Sequence, residues 1–161
     1  MSVDVDVSSN GVRAPLSRQR VQEVVEAVLK SEKIRNALVS ITFLDKRAMA
    51  QLNKKHLRHV GPTDVISFGF SRATTSDPVV GDIYVCPEVA SANAKGRGEP
   101  IRREITRLVA HGTLHILGYD HPHEDREESD MWRKQERVVA RVTASPRKRS
   151  SRRSARQDDS P

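Results

Sequence analysis

Residues 111–121 read His111-Gly112-Thr113-Leu114-His115-Ile116-Leu117-Gly118-Tyr119-Asp120-His121. Histidines spaced i, i+4 stand one above the other on a helix, so two imidazoles converge on one point. Gly118 then ends the helix in the left-handed conformation that glycine adopts without strain, and the chain turns back. His121 arrives just beyond that turn. Three neutral imidazoles suit a zinc ion at about 2.0–2.1 Å and leave a fourth position for water or substrate, as catalytic zinc sites do. Such an ion brings the pKa of water down to about 7. Upstream, Ile101, Ile105, Leu108, Gly112 and Ile116 share one helical face, with His111 and His115 at its edge. Pro100 sits where a helix start tolerates proline, so the spacing predicts a helix from Pro100 to Gly118 whose histidines are backed by core. The zinc-protease pattern places a glutamate directly after the first histidine as general base. Here that position is Gly112, and Glu104 lies about 10 Å down the helix axis. Proteolysis is disfavoured on that ground.

Outward from this helix the chain alternates strands and helices. Val21, Val24, Val25, Val28 and Leu29 recur at helical spacing after Ser17, a good N-cap. Residues 36–44 read as a strand with Val39, Ile41 and Phe43 on one face. Asp45 caps a helix through Leu57 whose apolar side is Met49, Leu52 and Leu57, and Gly61-Pro62 breaks it. Residues 63–70 and 79–86 read as strands joined by a polar loop, an antiparallel hairpin. A short helix over residues 88–95 closes at Gly96 and Gly98, and a last helix spans residues 124–143 with acids first and bases later. The expected fold is α+β: a small mixed sheet of three to four strands against about five helices, one of them a zincin-like histidine-bearing helix. Residues 1–15 read as a loose polar leader, 16–143 as the folded domain, and 144–161 as a disordered tail rich in arginine and serine.

Composition excludes several functions. The chain has 161 residues, enough for one domain, with 36% apolar and 30% charged residues. Its net charge is +7, of which residues 144–161 carry +4, so the body is only mildly basic. The tail reads either as a solubilising extension or as an arm with non-specific affinity for RNA. The single cysteine, Cys86, excludes an internal disulfide framework and a multi-cysteine zinc ribbon, and in a reducing setting no disulfide-linked partner is expected. No apolar run approaches the roughly 18 residues of a membrane span, and the first ten residues carry no basic-then-apolar signal pattern. The expected setting is cytoplasmic. Three phenylalanines, two tyrosines and one tryptophan are too few for an extended base-stacking platform.

The 111–121 segment resembles the signature of the YbeY family, bacterial endoribonucleases of rRNA maturation, whose pattern is H-G-x-L-H-L-x-G-Y-D-H. Ile116 stands for the leucine, and every other fixed position is present. A second family block, an asparagine-led helix end followed by P-T-D-V-L-S-F, matches Asn53 and Pro62-Thr63-Asp64-Val65-Ile66-Ser67-Phe68. A third, G-D-I, matches Gly81-Asp82-Ile83. The likeness spans roughly residues 38–139. It implies one zinc ion held by His111, His115 and His121, and a metal-dependent, single-strand-specific endoribonuclease working on small-subunit rRNA and in ribosome quality control. The implied partners are rRNA and the small ribosomal subunit. The family usually carries a functional arginine four residues after the asparagine, where this chain has Leu57. Arg58 is its neighbour, turned about 100° away on a regular helix; it reaches the cleft if the helix unwinds before Gly61. An arginine is wanted there because its fork holds a phosphate.

Other residues divide between chemistry and structure. Lys54, Lys55 and Arg72 are candidates for the electrostatic approach of RNA. His56 and His59 have i, i+3 spacing but no nearby third ligand in sequence, and read as polar residues beside the cleft. His123 reads as exposed. Asp120 either orients a ligand imidazole or caps the turn after Gly118. Glu124, Asp125, Glu127, Glu128 and Asp130 read as a solvated helix start, and Cys86 as a small core residue. A second function from another class fits the Leu57 departure: a metal-binding ribosome-assembly factor with little intrinsic cleavage. Removal of residues 144–161 is expected to weaken RNA affinity and flatten its salt dependence, because fewer phosphates are neutralised. Zinc content and turnover at saturating RNA should stay unchanged, since diffuse charge adds only uniform binding. Binding at several salt concentrations, metal analysis and saturating cleavage rates of full-length and truncated protein check all three.

Overall fold

Val3, Val5 and Val7 alternate with Asp4 and Asp6, and this period of two builds a strand where the sequence reading placed a loose leader. The computed structural model describes residues 2–57, 60–120 and 130–144. Strand β1 (Val3–Asn10) lies parallel to β2 (Ala37–Leu44), with Val3 opposite Ala37 and Asn10 opposite Leu44. Val7 is buried and Val3 and Val5 pack on the core, while Asp4 and Asp6 face water. An edge strand is only half buried, so one face needs only three valines and the other reads as a polar leader.

Parallel neighbours need a crossover, and α1 (Arg18–Ser31) supplies it. Ser17 caps this helix by accepting from the Arg20 backbone N–H at 3.1 Å, and Val21, Val24, Val25, Val28 and Leu29 are all buried. Val39, Ile41 and Phe43 of β2 are buried as the alternation predicts. Asp45 accepts from the Ala48 N–H at 2.8 Å and starts α2 (Lys46–Leu52). The next five residues, Asn53–Leu57, form a single π-helical turn. A turn bonded i→i+5 takes up one extra residue and changes the helical phase. Met49 is therefore buried but Leu57, expected on the same apolar side, is exposed. Asn53 is buried and its side-chain amide donates to the Gly61 carbonyl at 2.8 Å, which closes the loop behind the turn.

Strands β3 (Val65–Phe70) and β4 (Val79–Val85) form the expected antiparallel hairpin, and β4 also pairs parallel to β2. The result is a four-stranded mixed sheet in the order β1-β2-β4-β3. Helix α3 (Pro87–Arg97) ends at Gly98, followed by α4 (Ile101–Ile116) and α5 (Asp130–Ala144). The start of the last helix, expected at residue 124, lies outside the described residues, and α5 runs one residue into the stretch assigned to the tail. Helix α4 is central: it touches α1, α3, α5, β3 and β4. Cys86 is buried beside Leu44, Met49 and Ile66 in a second apolar cluster that α2 covers. Among the described residues no helix is long and apolar enough to cross a membrane.

The seat of α4 is made by glycines. Gly69 and Gly81 face each other across β3 and β4. A Cβ on Gly81 would stand 2.5 Å from Ile116 Cδ1, and one on Gly69 would stand 3.0 Å from the Ile116 carbonyl oxygen. A Cβ on Gly112 would stand 2.9 Å from Ile83 Cγ2. The residue after His111 thus faces the sheet at a distance that leaves no room for a side chain. Gly81→Ala is expected to cost about 1–3 kcal/mol by overpacking. Gly81→Ala combined with Ile116→Ala should lose less than the sum of the two, because Cγ1, Cγ2 and Cδ1 of Ile116, all within 2.7 Å of the new methyl, are gone. Urea unfolding of the three variants at equal m-value checks this.

Candidate metal centre

Helix α4 presents His111 and His115 one turn apart, both half-buried. Their ring centroids are 4.6 Å apart with planes at 79°, an edge-to-face pair on one side of the helix. His111 Nδ1 lies 2.8 Å from Oε1 of Gln135 on α5. Gln135 is 1% exposed, and its Nε2 donates to Glu136 Oε2 at 2.9 Å. Glu136 in turn receives Arg107 Nε at 2.8 Å.

Arg107 is the hub of an ion cluster inside the helical layer. Its Nη1 donates to Glu99 Oε1 and to Glu104 Oε1, each at 2.8 Å, and Nη2 reaches Glu136 Oε1 at 3.3 Å. Arg97 lies 3.7 Å from Glu104. Burial pushes the Glu136 carboxyl up, but hydrogen bonds from Arg107 and Gln135 and the Arg107 charge outweigh it and hold the group below the usual carboxylate range. The hydrogen bond from Arg107 lowers Glu99 against a smaller desolvation effect. Desolvation works against the Arg107 charge, yet Glu136 and Glu99 hold its pKa above the ordinary arginine value. Glu104 is committed to this cluster and, among the described residues, bonds no imidazole.

The end of α4 is fixed by its cap. Gly118 adopts φ +99°, with Gly118 N–H bonded to the His115 carbonyl at 2.9 Å and Tyr119 N–H to the Leu114 carbonyl at 3.1 Å. This is the paired pattern of a Schellman turn, and it satisfies carbonyls that the helix end leaves open. The Tyr119 hydroxyl donates to Glu32 Oε1 at 2.6 Å, and Lys134 Nζ donates to Glu32 Oε2 at 3.0 Å. Glu32 caps α1 and Lys134 belongs to α5, so the segment leading to His121 leaves from a point tied to two other helices. Burial pushes Glu32 up, but the bonds from Tyr119 and Lys134 prevail and lower it. The bond to Glu32, then burial, raises the Tyr119 phenol.

Structure separates the remaining candidates. His121, Arg58, His59, His123, Glu124, Asp125, Glu127, Glu128 and residues 145–161 lie outside the described residues. Among the described residues no three of histidine, cysteine, aspartate or glutamate gather as a metal site; α4 contributes a pair. Lys54 and Lys55 are exposed on the π-helical turn, where exposed His56 sets its ring edge-on to Phe68 at 5.4 Å. Arg72 braces the hairpin loop by donating to the Thr75 and Asp77 carbonyls at 3.1 and 3.3 Å. It also lines, with Gly118 and Tyr119, a cavity of about 300 Å³ beside the end of α4. Asp120 is exposed at the end of the turn, and Cys86 is buried with its thiol pushed up by desolvation. Two acidic residues of the matched blocks brace the fold: Asp64 accepts from Asn93 at 3.2 Å, and Asp82 from Ser40 at 2.7 Å. The residues missed by sequence reasoning are Gln135, Glu136 and Arg107. Their signal is a polar side chain on an apolar stripe, since Gln135 falls in line with Met131, Val138, Val139 and Val142.

These features define an α+β protein of the histidine-helix type, with two imidazoles one turn apart at the end of a sheet-backed helix. The family model described as "Endoribonuclease YbeY" matches residues 4–143. Endoribonuclease YbeY of Kineococcus radiotolerans is 38% identical over 148 residues, 86% of this chain and 85% of the relative. That of Thermotoga petrophila is 35% identical over 122 residues, 76% of this chain and 78% of the relative. The solution structure of TM1509 from Thermotoga maritima matches with a TM-score of 0.62 at 27% identity, over 97% of this chain and 96% of that one. The chain belongs to the YbeY endoribonuclease family.

The Arg107 cluster and the Glu32 contact share a pH signature. Glu99, Glu136 and Glu32 titrate below their ordinary value of 4.5 in the folded chain. Their stabilisation is complete above that value and is lost as pH falls through the lower folded-state values. Arg107→Ala leaves the Glu104 carboxylate buried without its main partner and should cost about 3–5 kcal/mol. It should also flatten the loss of stability on acidification, because Glu99 and Glu136 then titrate nearer to normal. Thermal unfolding of both proteins across the acid range checks cost and slope together.

Proposed function

We propose that this chain is a zinc-dependent, single-strand-specific endoribonuclease that matures the 3′ end of small-subunit rRNA and takes part in ribosome quality control. The observation that carries the reading is the half-buried His111–His115 pair, 4.6 Å between ring centroids, on a helix seated directly on the sheet. His111, His115 and His121 would hold the ion. Neutral imidazoles on a rigid helix, with a third histidine just past a fixed turn, form a donor set suited to zinc. When bound, zinc supplies Lewis acidity toward a phosphoryl oxygen and toward water.

The chain's own residues supply the rest. Lys54 and Lys55 on the π-helical turn and Arg72 beside the Gly118 turn draw the polyanion to this side of the molecule. Arg58 follows the π-helical turn directly in sequence, and that turn takes up one extra residue. This supports Arg58, in place of exposed Leu57, as the arginine that steadies a scissile phosphate. Gly112 supplies no general base, and Glu104 is committed to Arg107, which argues against peptide hydrolysis. The setting that fits is cytoplasmic, with rRNA and the small ribosomal subunit as partners. The second reading, an assembly factor with little cleavage of its own, rests on Leu57 at the family's arginine position.

Protein purified without chelator should carry close to one equivalent of zinc, and less than half an equivalent counts against the proposal. Chelator should abolish new ends on precursor small-subunit rRNA. His115→Ala should lose metal and cleavage while keeping most RNA affinity. An assembly factor would show unchanged RNA affinity in His115→Ala and no chelator-sensitive cleavage in the wild type. Arg58→Ala should lower kcat with metal content intact.

A further inference from the structure

We infer that Gln135 is a positioning residue that holds the His111 proton on Nδ1, and that Glu136 and Arg107 dictate the direction of this bond. The inference rests on the reading of His111 as a metal ligand, and it goes beyond it by naming what prepares that ligand. A side-chain amide has one accepting and one donating end, and either can face a neutral imidazole. Here the choice is forced from the other side. Glu136 is held as a carboxylate by two bonds from Arg107, at 2.8 and 3.3 Å, and a carboxylate only accepts. The Gln135 Nε2, 2.9 Å away, must therefore point to Glu136. That leaves Oε1 facing His111 Nδ1 at 2.8 Å, so Nδ1 is the donor. With the proton on Nδ1, the lone pair that a metal would take is on Nε2.

Reversing the amide would set oxygen against the Glu136 carboxylate in a site where Gln135 is 1% exposed, a lost bond and a repulsion that a change of tautomer at His111 does not repair. Arg107 cannot drift to relieve this, because Glu99 and Glu104 each hold it at 2.8 Å. The α3–α4 junction, α4 and α5 thus feed one directional chain of hydrogen bonds that ends on a ligand imidazole. Partners of this kind typically contribute ten- to a hundredfold to metal affinity.

The test reads the tautomer before it reads the metal. Nitrogen-detected NMR of the histidine rings in metal-free wild-type protein should show His111 with a proton on Nδ1 and a bare Nε2. Gln135→Met, apolar and of similar length, should shift His111 toward the Nε2–H form and weaken zinc, measured by competition with a chromophoric chelator, by about ten- to a hundredfold. The exchange Gln135→Glu with Glu136→Gln puts an obligate acceptor opposite His111 and a donor behind it. It should keep the Nδ1 proton and wild-type or tighter zinc binding, a rescue that packing alone does not predict. A wild-type His111 protonated on Nε2 overturns the inference. So does a folded Gln135→Met protein with unchanged tautomer and affinity, or a folded exchange variant that loses the Nδ1 proton. The wild-type spectrum decides the matter even where Gln135→Met does not fold. Wild-type protein with the Nδ1 tautomer but no zinc uptake would remove the metal reading and leave the hydrogen-bond chain in place.

Discussion

The approach of α4 to the β3–β4 hairpin is the constraint on which the rest of the molecule is built. Two glycines paired across adjacent strands, Gly69 and Gly81, receive the last residue of the helix, and Gly112 brings the helix down onto Ile83. Protein interiors are packed too closely to absorb a misplaced methyl group without cost. A helix seated this tightly has little freedom to slide or roll, so its side chains take fixed directions. The imidazoles at its end inherit that rigidity. So does the Gly118 turn, which leaves α4 from a defined point and is tied to α1 and α5 through Tyr119, Glu32 and Lys134.

A second constraint follows from placing α4 in the middle of the molecule. A helix surrounded by five other elements has no wholly wet side, yet it carries Glu104 and Arg107, at 1% and 6% exposure. Buried charges are tolerated where they are paired and fully hydrogen-bonded. Three carboxylates from three places in the chain meet one guanidinium, and the bidentate bond to Glu136 ties α5 to α4. Gln135 sits beside Glu136 on that helix and bonds to it, so the ion cluster and the His111 imidazole are joined through neighbouring residues of α5.

Local signals carried the sequence reading a long way. Ser17 and Asp45 act as caps, the β3–β4 hairpin is antiparallel, and Pro100 and Gly118 bound the histidine helix, because each depends on a few neighbouring residues. Strand β1 escaped because three valines make a short pattern and the strand pairs with β2, more than thirty residues away in sequence. Leu57 was misassigned because an α-helical period was applied across a π-helical turn. The histidine pair was legible from spacing alone, whereas its support was not. Gln135 interrupts an apolar stripe, but the residues that make it directional, Glu136 and Arg107, become its partners only when α5 packs against α4.

The parallel pairing of β1 with β2 also has a consequence for the order of assembly. β1, α1 and β2 are consecutive and form a βαβ unit, so all its elements are synthesised before the rest of the described fold that covers them. β4 lies between β2 and β3, and α4, later in the chain, packs on β3 and β4. Helix α5, which brings Gln135 and Glu136, comes last of all the described elements. The imidazole pair is thus translated before α5, and the contact between His111 and Gln135 forms only once that helix has been made.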